Sequence, residues 1–405
     1  MARALHLFEG FGVELEYMIV DAASLDVRPI TDRVLYEVAG GYVAEHELGE
    51  LAWSNELALH VIELKTNGPA ASLAPLAALF QEHVARINAL LEPWGARLMP
   101  TAMHPWMNPR RELELWPHEY NAVYETFNRI FDCRGHGWAN VQSVHLNLPF
   151  ADDEEFGRLH AAVRLLLPIL PALAASSPAM DGQWTGLADS RLEAYRHHCD
   201  EVPSLVGHVV PEPVFTRADY EEQIFARLFR DIAPYDPQGV LAHEWLNARG
   251  AIARFERNTI EIRVLDVQEC PAADLTICQA IVDVLQALVA EKWTDTAQQQ
   301  SLATQPLAHV LSDTTRDADE AVIDQPVYLA QFGLPPKPIK ARELWAGVLQ
   351  QVDGSTSRDP ALAILLSTGS LSRRIQRAVN ERGASLADVY RQLCECLAEG
   401  RMFSA

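Results

Sequence analysis

The fold is decided by a short stretch near the amino terminus, FGVELEYMIV, which spans residues 11–20. Apolar side chains occupy its odd-numbered positions from 13 to 19, whereas Glu14 and Glu16 occupy even-numbered positions between them. Because successive side chains of a β-strand point to opposite faces, this alternation predicts a half-buried strand with both glutamates on its second face.

Three later segments, residues 59–66, 141–148 and 259–266, alternate similarly and predict three more strands. Between them lie long stretches that predict helices, the first with apolar residues at spacings of three and four over residues 73–91. Strands that each keep one polar face and are separated by long helical stretches favour an α+β fold with an antiparallel sheet over a parallel sheet.

The length of 405 residues suggests two or three domains, although one large catalytic domain is also compatible with it. We predict a catalytic domain over residues 1–293 and a mainly helical region over residues 294–405 that packs on it. Within the second region, residues 333–338 and 354–357 are rich in Gly, Pro and Ser and predict breaks.

Lysine and arginine number 33 against 55 aspartates and glutamates, which leaves a formal charge of −22. This charge repels the phosphates of nucleic acids and anionic lipids, so we expect no nucleic-acid or membrane partner. An anionic substrate such as a nucleotide would require bound cations to offset the repulsion, which indicates a divalent metal.

The first nine residues contain no apolar run typical of a signal peptide, and we expect no membrane span because no stretch approaches ~20 apolar residues. The six cysteines are scattered without a Cys-x-x-Cys pair, which is typical of reduced structural thiols. We therefore predict a cytoplasmic protein. The sequence does not determine the oligomeric state, and it is compatible with a homo-oligomer.

Residues two apart on a strand share a face and lie roughly 6.5 to 7 Å from each other. The rule pairs polar side chains on all four strands, namely Glu14 with Glu16, Glu63 with Lys65, His145 with Asn147, and Glu261 with Arg263. For any one strand, an ordinary solvated face explains such a pair. Taken together, four faces rich in ionisable residues predict a covered cluster whose charges are paired or metal-bound.

Glu56 precedes Glu63 by seven positions, an odd offset that would place it on the opposite face of one straight strand. It joins the cluster only if a turn or bulge lies near Asn55. Oxygen ligands in this number, without thiolates, favour Mg²⁺ or Mn²⁺ over zinc, whereas His145 is compatible with either. Several carboxylates with an arginine suit phosphoryl transfer, and the sequence has no Walker loop to hold a nucleotide.

Four segments follow one another along the chain in an order that is typical of one protein family. They are Gly12-Val13-Glu14-Leu15-Glu16, Val61-Ile62-Glu63-Leu64-Lys65-Thr66, the loop from Ser176-Ser177-Pro178 to Ser190-Arg191, and Thr259-Ile260-Glu261-Ile262-Arg263-Val264-Leu265-Asp266. Together they resemble the glutamate–cysteine ligase family of bacterial carboxylate–amine ligases, whose catalytic domain is similar to glutamine synthetase. The resemblance covers residues 8–271 and implies a curved antiparallel sheet with helices on one side.

The resemblance also implies roles for the site residues. Magnesium ions that hold ATP and the substrate carboxylate would be bound by Glu14, Glu16, Glu56, Glu63, His145 and Glu261. Arg263 would act in catalysis with Glu261 by stabilising the transferred phosphoryl group. Lys65 and either Arg254 or Arg257, of which we favour Arg254, are expected to contact the nucleotide unless these arginines are solvated. Arg191 is expected either to bind a substrate carboxylate or to belong to a helix capping box.

Two segments depart from the family pattern. His145-Leu146-Asn147 stands where the family often has His-x-His, and Ala102-Met103-His104-Pro105 only partly matches its Gly-Thr-His-Pro. The first change affects the surroundings of the metal ligands, and the second predicts an acceptor pocket that differs from the family's.

The predicted activity is that of an ATP- and Mg²⁺-dependent ligase, which converts a carboxylate into an acyl phosphate that an amine attacks to give an amide. The partners are then a small carboxylate and a small amine, and the resemblance suggests glutamate and cysteine first. A metal-dependent amide hydrolase would need the same carboxylates without ATP and is the alternative. A binding protein without activity is a third interpretation, which the retained charges disfavour.

Overall fold

The structure is a computed structural model that describes residues 4–352 and 359–404. The predicted break at residues 354–357 therefore lies outside the described residues. The strands in this part of the chain are β1 (Gly12–Asp21), β2 (Glu45–Leu48), β3 (Leu51–Asn55), β4 (Val61–Thr66), β5 (Ala96–Met99), β6 (Ser143–Pro149), β7 (Ala179–Met180), β8 (Gln183–Trp184), β9 (Ala251–Arg254), β10 (Thr259–Asp266), β11 (Val322–Ile323) and β12 (Ile339–Lys340).

Helices make up most of the remaining chain, and short 3-10 turns and a π-helix at Glu221–Phe225 connect several of them. The α-helices of the described residues are α1 (Thr31–Ala39), α2 (Leu76–Leu91), α3 (Pro109–Glu112), α4 (Asn121–Phe131), α5 (His136–Ala139), α6 (Asp153–Leu166), α7 (Pro171–Ala174), α8 (Ser190–Arg196), α9 (Arg217–Tyr220), α10 (Ala226–Ile232), α11 (Pro271–Val289), α12 (Thr296–Gln300), α13 (Thr304–Asp317), α14 (Pro326–Ala330), α15 (Ala341–Leu349), α16 (Pro360–Thr368), α17 (Leu371–Asn380) and α18 (Leu386–Glu399).

One sheet dominates the fold. Within the described residues it contains eight strands, in the order β2-β3-β4-β1-β6-β10-β9, with β5 also paired to β1. Every neighbouring pair in it is antiparallel. The predicted α+β fold with an antiparallel sheet is therefore confirmed. The four strands expected from alternation correspond to β1, β4, β6 and β10, whereas β2, β3, β5 and β9 were not predicted.

The apolar face of the sheet forms the main core. Val13, Leu15 and Tyr17 of β1 are fully buried and share one hydrophobic cluster with side chains of α2, α6 and α11. Helix α11 is long and apolar enough to cross a membrane, judged by length and composition alone. The expectation that no stretch of the chain would reach this length and apolarity was therefore wrong. Its apolar window is 78% buried inside the protein, because α11 packs as a central core helix.

The carboxyl-terminal region packs closely on the rest of the chain. The Trp345 indole donates to the Ile169 carbonyl oxygen at 2.9 Å, a contact between α15 and the segment after α6. Met18 and Val20, on the second face of β1, are buried against α17 and α18. Helices α2, α6 and α11 thus lie on the apolar face of the sheet. Helices α17 and α18 cover one end of its opposite face. The domain boundary at residue 293 stays a prediction.

Candidate active site

The register of the sheet brings most of the predicted site residues onto one face around β1. Glu16 lies opposite Glu63 of β4, and Glu14 lies opposite His145 of β6. Glu261 lies on β10, which is the next strand beyond β6. Strand pairing alone therefore gathers residues from four distant parts of the sequence.

Two groups of side chains in this cluster have the spacing of cation ligands. Glu14, Glu63 and His145 form one group, and Glu16, Glu56 and Glu63 form the other, with the ligand atoms of each group within 4.8 Å of one another. Mg²⁺ and Mn²⁺ prefer several carboxylate oxygens as ligands, so the residues of these two groups fit such an ion.

Glu56 reaches the cluster from a turn. Strand β3 ends at Asn55 and β4 begins at Val61, so Glu56 lies in the connection between them. The turn that its odd sequence offset required is therefore present. Its carboxylate accepts a hydrogen bond from the backbone N–H of Leu57 at 3.3 Å.

The crowded carboxylates affect one another's protonation. Burial, and then the charge of Glu14, raise the pKa of Glu63 to about 7, although Lys65 and a hydrogen bond from Ser54 oppose this. Burial and the charges of Glu16 and Glu63 raise the pKa of Glu56 well above its ordinary value. The cluster thus favours added positive charge, from protons or from metal ions.

Glu14 and His145 form an ion pair, with 2.7 Å between Glu14 Oε2 and His145 Nδ1. Burial alone would lower the pKa of His145, but the hydrogen bond and charge of Glu14 outweigh it and raise that pKa to about 9. Burial likewise opposes ionisation of Glu14, and His145 nevertheless holds the pKa of Glu14 below its ordinary value. Both side chains are therefore charged near neutral pH.

Glu261 forms ion pairs with two arginines. Arg254 Nη1 lies 3.0 Å from Glu261 Oε2, and Arg263 Nη2 pairs with Glu261 Oε1. Burial would raise the pKa of Glu261, but the charges of Arg263, His145 and Arg254 lower it to about 2. The structure does not bring Glu261 into either group of ligand atoms among the described residues, so its role as a metal ligand stays a prediction.

Arg191 is buried beneath β10. Its Nη2 donates to the carbonyl oxygens of Arg263 at 2.8 Å and Leu265 at 3.0 Å, and its Nε lies 3.2 Å from Asp266 Oδ1. The capping-box interpretation was wrong, because Asp189 caps α8 by accepting from the N–H of Leu192. Since Arg191 also lines a cavity beside the cluster, its role in substrate binding stays a prediction.

Two cavities flank the carboxylate cluster. The first, called here the Glu16 cavity, has a volume of about 240 Å³ and is lined by Glu16, Glu56, Ser143, His145, Arg191 and Arg263 together with aromatic side chains. The second, the Glu14 cavity, has a volume of about 550 Å³ and is lined by Gly12, Glu14, Lys65, Asn147, Arg257 and Thr259 among others. Because Glu14 and Glu16 are neighbours on one face of β1, the cavities meet the cluster from two sides.

Cationic side chains border the Glu14 cavity. Lys65 Nζ lies 2.6 Å from a Glu45 carboxylate oxygen and 3.2 Å from a Glu63 carboxylate oxygen. Arg257 also lines this cavity, whereas Arg254, the arginine favoured from sequence, pairs with Glu261. A Cβ atom added at Gly12 would lie 2.9 Å from the Asn147 Cβ, so this strand start requires glycine.

Sequence comparison identifies the family. Residues 10–325 match the family model described as glutamate–cysteine ligase family 2. The protein belongs to this family. An uncharacterised protein of Archaeoglobus fulgidus is 34% identical over 280 residues, which cover 69% of this chain and 75% of that protein. A Nocardioides sp. protein with the provisional name glutamate–cysteine ligase 2-1 is 27% identical over 386 residues, which cover 92% and 89% of the two chains.

Solved structures share the fold of this family member. The glutamate–cysteine ligase of Francisella tularensis, solved in complex with AMP, has a TM-score of 0.59 at 11% identity, covering 96% of this chain and 88% of that one. A bifunctional glutathione synthetase from Pasteurella multocida has a TM-score of 0.56 at 15% identity. The match covers 97% of this chain, which spans about half (52%) of the Pasteurella chain.

Several residues of this ligase-family site were not predicted from the sequence. Ser143 donates from its backbone N–H to Glu16 at 2.7 Å, and it lies two residues before His145, so strand alternation already placed it on this face. The aromatic lining was also missed, although Tyr124 and Phe127 belong to a run of aromatics at helical spacing.

His104, from the segment that departs from the family pattern, has a structural position. It is buried, and its Nε2 lies 2.7 Å from the Leu25 carbonyl oxygen. Its Nδ1 accepts hydrogen bonds from the N–H groups of Trp106 and Met107. His104 therefore orders its own loop, and it does not line either cavity of the described residues.

Proposed function

We propose that the protein is an ATP- and Mg²⁺-dependent carboxylate–amine ligase that forms an amide through an acyl phosphate. The observation that carries this proposal is the pair of cavities that meet one carboxylate cluster from two sides, with Arg263 lining the Glu16 cavity. The family and the name of the Nocardioides relative support glutamate and cysteine as the first substrates to test. The AMP bound in the Francisella enzyme supports a nucleotide substrate.

The nucleotide is assigned to the Glu14 cavity. Its volume of about 550 Å³ lies within the usual range of small-molecule sites, ~300–1,000 Å³. Lys65 and Arg257 line it and offer positive charge to phosphate oxygens. The strongly negative protein otherwise repels ATP, so these cations and a metal ion held by the carboxylate cluster are the features that would retain it.

The cluster would hold the metal. Glu14, Glu16, Glu56 and Glu63 would hold Mg²⁺, which would supply positive charge to offset the phosphate oxygens. Arg263, already oriented by Glu261, would stabilise the charge that spreads over the transferred phosphoryl group.

The chemical steps balance without a further reactant. A substrate carboxylate oxygen forms a bond to the terminal phosphorus of ATP as the bond to the bridging oxygen breaks, which gives an acyl phosphate and ADP. The neutral amine nitrogen then bonds to the carbonyl carbon, and the carbon–oxygen bond to phosphate breaks. Phosphate leaves with the proton that the amine loses.

The variant Glu261→Gln tests this proposal. Loss of the carboxylate releases Arg263 and Arg254, so we expect ADP formation below about 1% of the wild-type rate with an unchanged circular dichroism spectrum. Glu256→Gln, an exposed residue beside the same strand, is the matched control and should keep full activity. Undiminished ADP formation by Glu261→Gln would refute the proposed role.

Omission of ATP separates the ligase from the amide hydrolase. The hydrolase needs only the metal and an amide, so it would release free amine in ATP-free buffer. A ligase should show amide formation that depends strictly on ATP, measured by mass spectrometry of the product.

We further propose a cytoplasmic location, which is supported by six buried cysteines that are all free within the described residues.

A further inference from the structure

The amino-terminal segment, residues 4–10, forms part of the wall of the Glu14 cavity. Ala4, Leu5 and Gly10 line this cavity, and the segment ends just before β1 begins. Leu5 folds back over Gly10, because a Cβ atom added at Gly10 would lie 2.8 Å from Leu5 Cδ1. The same atom would lie 3.0 Å from the Cβ of Pro69, which also lines the cavity. The segment and the turn after β4 therefore close one end of the cavity, called here the closed end.

Strand register separates the closed end from the carboxylate cluster. Glu14 lies opposite His145 in the pairing of β1 with β6. Pro149 lies four positions further along β6, opposite Thr259 of β10, and both of these residues line the Glu14 cavity. Because β1 and β6 are antiparallel, Gly10 falls level with Pro149. Four residues of a strand span roughly 13 Å, so the cavity extends about that far from the metal ligands to the closed end.

Glu155 holds the segment to the rest of the protein. Its Oε1 lies 2.8 Å from His6 Nδ1, and its Oε2 accepts a hydrogen bond from the Leu7 N–H at 3.3 Å. The same Oε2 accepts from the N–H of Ala151 at 2.8 Å, which fixes the carboxylate at the start of α6. Leu7 and Phe8 also pack, partly buried, against the main core. One carboxylate thus fixes the segment in position beside the cavity.

The closed end combines apolar surface with free backbone groups. Its apolar lining consists of Leu5, Phe11, Pro69 and Pro149. The backbone N–H and carbonyl groups of Leu5 make no hydrogen bond to another residue in the part of the chain that the structure describes. A nucleobase is an apolar ring with a polar edge, and a site of this composition suits such a ring.

We propose that the amino-terminal segment is the nucleoside-binding wall of the Glu14 cavity, with Leu5 in contact with the base and Glu155 as the residue that positions the segment. This inference rests on the proposed ligase function and specifies where its nucleotide binds. The metal ligands and Lys65 attract the phosphates to the cluster, so the rest of an extended nucleotide lies toward the closed end.

The decisive comparison uses two ligands that share a triphosphate chain, ATP and inorganic tripolyphosphate. Calorimetry gives the Kd of each for the full-length protein with Mg²⁺, in the absence of carboxylate and amine. In Leu5→Ala and in Glu155→Ala, the Kd for ATP should rise about tenfold, because the nucleoside loses its wall. The Kd for tripolyphosphate should change less than about twofold, because the phosphate ligands are intact. Equal changes for both ligands, or none for ATP, would refute the inference.

Matched variants separate this role from general damage to the fold. Glu154→Gln alters the exposed neighbour of Glu155 in α6 and should bind both ligands as the wild type does. Leu5→Met keeps an apolar side chain and should bind ATP with a Kd within about twofold of the wild-type value. Circular dichroism reports the fold of each variant. If Glu155→Ala does not fold, the comparison between Leu5→Ala and Leu5→Met decides the inference.

Product formation distinguishes failure of this inference from failure of the ligase proposal. Hydroxylamine traps an acyl phosphate as a hydroxamate, so it reports activation of a carboxylate by ATP. Hydroxamate formed by the wild type, together with a wild-type Kd for ATP in Leu5→Ala and Glu155→Ala, would refute the nucleoside-binding wall and leave the ligase intact. Absence of hydroxamate with every carboxylate tested would refute the ligase function, and the inference with it.

Discussion

Arg191 holds the backbone of Arg263, with its Nη2 donating to the Arg263 carbonyl oxygen at 2.8 Å. The same nitrogen donates to the carbonyl oxygen of Leu265 at 3.0 Å. The pairing of β10 with β6 shifts register between Ile262 and Leu265, and such an irregularity leaves backbone groups without partners in the sheet. Arg191 satisfies these groups, and we infer that it thereby fixes the direction in which Arg263 points.

Arg191→Lys should therefore impair catalysis more than folding. Lysine keeps the buried positive charge beside Asp266 but cannot make the same planar set of hydrogen bonds. We expect kcat for ADP release to fall about 100-fold, with a loss of only ~1–2 kcal/mol in the free energy of unfolding. Arg196→Lys, in the same helix but partly exposed, should change neither quantity measurably. Similar kcat values for both variants would contradict a positioning role.

The carboxylate cluster predicts opposite effects of Glu63→Gln with and without metal. In metal-free buffer the variant removes the repulsion between Glu63 and the carboxylates of Glu14, Glu16 and Glu56, so its Tm should rise above that of the wild type. With Mg²⁺ added, the wild type should gain stability by mass action, and the variant should gain much less. Calorimetry with Mg²⁺ alone should show at least about tenfold weaker binding.

A matched acid outside the cluster completes this test. Glu47 lies on β2 and is exposed, and it belongs to neither ligand group of the described residues. Glu47→Gln should retain both the metal-free Tm and the response to Mg²⁺. If Glu63→Gln and Glu47→Gln responded alike, the cluster would not be a metal site.

How much of this site the sequence predicts depends on whether the signal is local. Alternation along one strand is a local property, and it correctly grouped Glu14 with Glu16 and placed Glu63 and His145 on polar faces. It also showed that Glu56 needs a turn, which the end of β3 supplies. These residues could be found because the two-residue repeat of a strand is set by backbone geometry.

The remaining features depend on tertiary contacts that no local pattern encodes. Arg254 and Arg257 are three positions apart, yet one pairs with Glu261 and the other lines the Glu14 cavity. The aromatic lining of the Glu16 cavity combines side chains of α4 and α5 with Trp245, more than a hundred residues later in the chain. Helix α11 shows the same limit, since its composition fits a membrane span and its burial is decided by the sheet it covers.

Buried histidines predict a loss of stability in acid. Burial lowers the pKa of His160 to about 3, whereas an unfolded histidine titrates near ~6.5. Between these values the unfolded chain binds a proton that the folded protein excludes, so stability is full above pH ~6.5 and falls as the pH falls toward 3. At pH 5 the exclusion of this proton by His160 should lower the free energy of unfolding by about 2 kcal/mol relative to its value at pH 7.5.

The variant His160→Phe measures this contribution, because phenylalanine keeps a ring against Phe156 and cannot titrate. Urea unfolding at pH 7.5 and pH 5 should show a smaller loss of stability in acid for the variant than for the wild type, by about 2 kcal/mol. His309→Gln, at an exposed position, should follow the wild type. An identical loss in His160→Phe would show that His160 is protonated in the folded state.

The buried ion pair between Arg374 and Glu269 predicts a specific pattern in a double-mutant cycle. Arg374 lies on α17, Glu269 follows β10, and both side chains are almost fully buried. Arg374 Nη1 also donates to the Phe403 carbonyl oxygen at 2.8 Å, so the pair joins the segment after α18 to the segment that follows β10 of the main sheet. Arg374→Met should cost ~3–5 kcal/mol because it leaves Glu269 as an unpaired buried charge.

Adding Glu269→Gln to Arg374→Met should restore much of that loss, since the unpaired charge is then removed. The exposed pair of Arg391 and Asp388 provides the comparison, and its coupling should stay below about 1 kcal/mol. All free energies come from urea unfolding at pH 7.5. A double variant no more stable than Arg374→Met would mean that Glu269 is already neutral or hydrated, and that lost packing causes the destabilisation.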